Sequence, residues 1–361
     1  MLPSEPKQFR AEFPHHRAFS LVELLVVLGI LVILCSIFIP YVGKMRETNK
    51  RVACADNLRQ IHAAFSKYAG ANDRDFPRMP WDPARPGMYV AFTGSSLVPV
   101  RPATTAPTTA PSLPTTAPAA VAAIPPNLTP ATPAPTTTPA TVSTTPATGT
   151  AATQTIAGPP PPSVDGVKPN DVTAALWLLV RLGYVQPQAF VCASASETLD
   201  PMLTGGKRVN AAQRSNFTSG QHLSYSYCSP YSAAPRFRLN SDVLPPDFAI
   251  MADKNPGVVT GGSNAAGPAY NAPPLEMTAA NSRNHDRAGQ NVLYVTGEVR
   301  FQSTPYCGYG TGWKRDNIYS TFATQPLPPG SNPAPEGKGI VSPNAGPAWE
   351  NDSYLVPTED E

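Results

Sequence analysis

The sequence predicts an α+β protein: a long N-terminal transmembrane helix packed on an antiparallel β-sheet ectodomain, with a disordered insertion. Three observations predict it. From Phe19 to Ile39 the chain is apolar but for one charge, Glu23, and twenty-one residues at ~1.5 Å each span roughly one bilayer core. The stretch "QNVLYVTGEVRFQ" at 290–302 sets two β-rich runs around Thr296-Gly297, the signature of a tight hairpin. Residues 101–163 are almost wholly Pro, Thr and Ala, a composition that buries too little surface to offset the entropy of ordering.

Taken in order, residues 1–18 form a short basic leader and 19–70 a single helix, its transmembrane part being 19–39. Proline at position 40 removes one backbone donor and kinks, rather than ends, a membrane helix. Beyond it Leu58, Ile61, Phe65 and Tyr68 recur at helical spacing, and Gly70 is a natural stop. Residues 71–100 read as a loop region and 101–163 as the Pro/Thr/Ala-rich disordered linker, a composition shared with O-glycosylated stalks. The α+β ectodomain follows over 164–325. Within it, "NDVTAALWLLVRLGYV" reads as a short helix capped by Asn170 or Asp171 and stopped by Gly183. "QAFVCAS", "HLSYSYCS" and "DFAIMAD" read as strands. Residues 326–361 return to Pro/Gly-rich chain with an acidic end and read as a disordered tail.

Composition narrows the function. With 27 Lys+Arg against 25 Asp+Glu the net charge is +2, and no basic stripe is available to neutralise phosphates, so nucleic acid is not expected as a partner. Of five cysteines, Cys35 lies in the apolar run. Cys54, Cys192, Cys228 and Cys307 lie beyond it, form no C-x-x-C pair, and suit an oxidising, extracytoplasmic compartment as disulfide candidates with three pairings open. There is no G-x-S-x-G elbow. The adjacent His285-Asp286 is a poor acid/base pair, and "NSRNHDRAGQN" reads instead as a hydrogen-bonded loop entering the hairpin. The "CGYGTGW" loop lacks the spacing of a phosphate cradle. No catalytic residue and no metal ligand is assigned, and no cofactor is expected beyond calcium at "NDRD" (72–75), whose spacing misses the EF-hand. His62 reads as a packing residue. Basic residues flank the apolar run on both sides, and the larger excess after it would by itself favour a cytoplasmic C-terminal side.

Residues 15–40 resemble the prepilin signal of type IV pilins and type II secretion pseudopilins: Arg17, Ala18 where glycine is usual, then Phe19-Ser20-Leu21-Val22-Glu23, with Pro40 where many pilins carry a proline. The resemblance implies a pilin-like fold, cleavage by a prepilin peptidase between Ala18 and Phe19, methylation of Phe19, and assembly roles for Glu23 and Pro40. It reverses the topology suggested by charge. The N-terminus becomes cytoplasmic and the C-terminal domain extracytoplasmic, on a single-pass protein of the bacterial inner membrane. Other pilin-like subunits become the expected partners. The later segments also resemble a group of prepilin-like proteins with a Cys-x-Asn-Asn-Leu run, a Phe-Val-Cys-Pro-Ser strand and a His–x9–Asp–Gly signature. Here these appear as "CADNLRQI", "FVCAS" and His285 with Thr296 and Gly297, threonine standing at the aspartate position one residue further along. On that resemblance Cys54 and Cys192 are the first pairing to expect, with Cys228 and Cys307 in competition.

The expected function is a non-enzymatic structural subunit of a type II secretion or type IV pilus-like envelope apparatus, assembled into a periplasmic or surface fibre. The alternative is a monomeric, single-pass, membrane-anchored binding protein of the cell envelope.

Overall fold

The computed structural model describes residues 20–93, 97, 166–204, 206–234, 236–257, 265–321, 339–342 and 344–359, with backbone alone at 37–44, 204, 265–266 and 313. The leader with Ala18 and Phe19, the 101–163 linker and residues 326–338 of the tail lie outside them. The chain divides into two compact units, Met1–Val98 with Gly158–Glu361, and Pro99–Ala157. Everything described belongs to the first.

Helix α1 (Leu21–Gly70) is continuous over 50 residues, its backbone helical through position 40, about 75 Å at ~1.5 Å per residue. Its two ends meet different surroundings. Every described side chain from Leu21 to Ser36 is exposed, Glu23 in the first turn included. Further along, Cys54, Leu58, Ile61, Phe65 and Tyr68 are buried, at spacings of four, three, four and three that form one face. Among the described residues no helix is long and apolar enough to cross a membrane, and part of the expected 19–39 span lies outside them.

Helix α2 (Val172–Arg181) begins at Asp171, which accepts from Ala174 N at 2.8 Å and Thr173 Oγ1 at 2.9 Å. The same buried carboxylate accepts from Asn216 Nδ2 at 3.0 Å and from the Thr93 hydroxyl. Trp177, fully buried on α2, donates to Arg214 O at 3.0 Å and meets Phe217 edge-on at 4.8 Å. Removing the cap and stranding its donors should be costly. Asp171→Ala is expected to destabilise the fold by about 2–4 kcal/mol, read as a lower urea midpoint at unchanged slope.

Strands β1 (Leu203–Thr204) and β2 (Lys207–Arg208) form a small hairpin. β3 (Tyr225–Cys228), β4 (Ala249–Asp253), β6 (Gln290–Tyr294), β7 (Val299–Gln302) and β9 (Leu355–Val356) make an antiparallel sheet in the order β7-β6-β4-β3-β9. β5 (Ala265–Ala266) pairs with β8 (Ile340–Val341), and α3 (Pro274–Ala279) precedes the hairpin loop. α1 packs on β6 and β7. Phe65 of α1 stacks on Tyr227 of β3 at 5.2 Å and meets Phe76 edge-on at 5.6 Å.

Two expectations are corrected. "QAFVCAS" is not a strand. Pro187–Phe190 is a 3₁₀ turn, and the next carbonyls bond outside any ladder, Phe190 O to Ser224 N at 2.9 Å and Val191 O to Asn57 Nδ2 at 2.9 Å. The tail is not wholly disordered either. Residues 339–342 and 344–359 are ordered against the core, and Tyr354, Leu355 and Val356 are fully buried, β9 being the sheet's edge. A four-residue run, "SYLV", carries enough apolar surface to dock there despite the prolines around it.

Candidate functional site

Polar residues in the C-terminal half of α1 converge with two loops and two strands at one place. The loop entering β6 turns through His285, Asp286 and Arg287 at φ 59°, 54° and 61°, three successive non-glycine residues in the left-handed region, a conformation that costs of order 1–3 kcal/mol each. Side chains hold it there. Asn281 Nδ2 donates to Arg287 O at 3.1 Å and to Ser303 O at 2.9 Å, and the Arg287 guanidinium donates to Ala279 O. The result points the His285 imidazole inward, fully buried, edge-on to Phe301.

Both ring nitrogens are engaged. Nδ1 lies 2.7 Å from Glu47 Oε1 on α1. Nε2 faces Asp253 Oδ2 of β4 at 3.3 Å, Asn291 Nδ2 at 3.1 Å and Cys192 Sγ at 3.7 Å. Burial pulls the His285 pKa down, but hydrogen bonds and charge from Asp253 and then Glu47 outweigh it, leaving a net upward shift. For Glu47 burial works upward. Bonds from Ser194 Oγ (2.8 Å), His285 and Arg51 overcome it and hold the carboxyl below its usual value. Asp253, with no exposure, also accepts from Asn291 N at 2.6 Å and Asn284 Nδ2 at 3.2 Å. The cluster is a charge-assisted clamp between α1 and the sheet.

Beside it Cys54 of α1 is joined to Cys192, with Cα atoms 5.0 Å apart. Cys228 and Cys307 are buried free thiols whose pKa values burial drives upward, and Cys35 is an exposed one. The two signature positions beyond His285 sit elsewhere. Thr296 is exposed at the hairpin tip, and Gly297, at φ 88°, is pressed against His62, where a Cβ would stand 2.6 Å from the ring. His62 itself reaches Val295 O at 3.2 Å, so it ties the hairpin tip to α1. In the "NDRD" stretch, Asp75 is taken by Arg238 at 2.9 Å and Asn240 Nδ2 at 2.7 Å, leaving little of it for calcium. Glu47, Asp253 and Asn291 carried no local signal in the sequence. They lie on separate elements that only the fold brings together.

At the other end of α1, residues 14–39 match the prokaryotic N-terminal methylation motif. The chain therefore carries a prepilin-type cleavage and methylation signal, the mark of a type IV pilin- or pseudopilin-like precursor. No curated protein and no solved structure matches the chain.

Proposed function

We propose that the chain is a non-enzymatic structural subunit of a pilus-like or type II secretion assembly in the bacterial envelope. A prepilin peptidase cuts between Ala18 and Phe19, and the new N-terminus is methylated. Residues 19–39 anchor the subunit in the inner membrane with the α+β unit on the extracytoplasmic side, and other pilin-like subunits are its partners. The observation that carries this is the continuity of the methylation motif with α1, whose described flank from Leu21 to Ser36 is apolar, apart from Glu23 and Ser36, and wholly exposed. A surface of that kind needs lipid or other helices to cover it.

Glu23 then has a role. A carboxylate in hydrocarbon costs ~2.5–3.5 kcal/mol, and a partner relieves it. Cleavage places an α-amino group four residues before it, and stacking of subunits along a fibre lets Glu23 of one meet the Phe19 amine of the next. Glu23→Gln keeps size and removes charge. It is expected to insert in the membrane normally yet lose the ladder of multimers that photo-crosslinkers placed within residues 24–36 give for the wild type. A wild-type ladder from the variant would remove this role, and monomers from both proteins would favour an anchored binding protein that never polymerises.

A further inference from the structure

Three chain segments bring metal-ligating atoms to a single point between α1 and the sheet. Cys54 Sγ, Cys192 Sγ and His285 Nε2 lie within 4.8 Å of one another, all buried. A disulfide needs no imidazole beside it, and this one is oriented with care. Glu47 holds Nδ1 at 2.7 Å, the carboxylate–imidazole pairing that fixes ring and tautomer when the other nitrogen ligates a metal. The Cys192 Sγ to Nε2 distance is 3.7 Å. A tetrahedral zinc with bonds of about 2.3 Å to sulfur and about 2.0 Å to nitrogen spaces those two atoms by about 3.5 Å. Asp253 Oδ2 lies 3.3 Å from the same nitrogen with no exposure to solvent.

We propose that, when Cys54 and Cys192 are thiols, they and His285 Nε2 bind one zinc-class divalent cation, so that metal ties α1 to the sheet in the reduced chain as the disulfide does in the oxidised one. Two thiolates and an imidazole select a borderline-soft ion over magnesium or calcium. On binding, each thiol releases its proton and His285 ligates as the neutral base, giving up any proton on Nε2. A newly made chain is already in the dithiol form, so loading needs no reductant. Passage to the disulfide form sends two electrons from the two thiolates to a disulfide oxidant, which takes up two protons from water and leaves as two thiols, and the cation is released.

The test is cobalt titration of the full-length chain in detergent, reduced with a phosphine under nitrogen. One equivalent of Co²⁺ is expected to give a thiolate-to-cobalt charge-transfer band and the intense visible bands of a tetrahedral site, displaced by zinc. The oxidised chain should give neither. Cys54→Ser with Cys192→Ser should abolish the bands, whereas Cys228→Ser with Cys307→Ser should keep them. Glu47→Gln retains every ligand and is expected to weaken cobalt binding ~10–100-fold. Absence of the bands from the reduced wild type, or bands that follow Cys228 and Cys307 instead, would overturn the proposal.

Discussion

Replacing both Cys54 and Cys192 by serine is expected to lower the stability of the described unit by about 4–5 kcal/mol. The bond closes a loop across a sequence separation of 138 residues, and that loop contains the Pro/Thr/Ala linker. In the chain-entropy account, cross-linking so long a loop removes much of the freedom of the unfolded chain, and the native state pays little in return. The loss should appear as a lower urea midpoint, and phosphine treatment of the wild type without metal should move it by the same amount. A shift below about 1 kcal/mol would mean that the Glu47–His285–Asp253 clamp and the Leu58, Ile61 and Phe65 face hold α1 on the sheet unaided.

The second large effect concerns pH. Asp316 and Asp352, both buried, face each other. Asp316 accepts from Ser353 N at 2.9 Å, and Asp352 from Thr321 Oγ1 and Ala348 N, each at 2.6 Å. Burial and mutual repulsion drive Asp316 well above the carboxylate range, and burial brings Asp352 to about 7. The folded pKa values exceed the unfolded ones, so the folded state holds the extra protons. The stability this confers is complete below about pH 4 and falls as pH rises through 7. For Asp352 the loss is on the order of 4 kcal/mol. Glu359, raised to about 7 mainly by burial, moves stability in the same direction. Between pH 5 and 8 the thermal midpoint should therefore fall. In Asp316→Asn, which keeps an acceptor for Ser353 and cannot ionise, the fall should be visibly shallower. A midpoint that rises over this range, or an identical slope in the variant, would contradict the pairing.

Both effects depend on contacts the sequence does not display equally well. Periodicity made α1 legible, because Leu58, Ile61, Phe65 and Tyr68 repeat on one face over several turns. Asp171 and Gly183 likewise mark α2, and Thr296-Gly297 marks the β6–β7 turn. Short segments were opaque. Phe190 and Val191 have the composition of a strand, yet their carbonyls are taken by Ser224 and an α1 side chain. Leu355 and Val356 are strand residues set in a stretch whose prolines and acids suggested disorder. The clamp was the least legible part. His285 drew notice as a signature residue, but its partners Glu47 and Asp253 are single acids far away in sequence, with nothing in their neighbours to set them apart.

A prepilin-type subunit must lose its leader, and Glu23 can act as a register device only if the Phe19 amine exists. Mass spectrometry of the mature protein from its native cells tests this directly. An N-terminal peptide that begins with N-methylated Phe19 is expected, whereas a stable protein that still begins at Met1 with its leader intact would contradict both the processing and the role of Glu23.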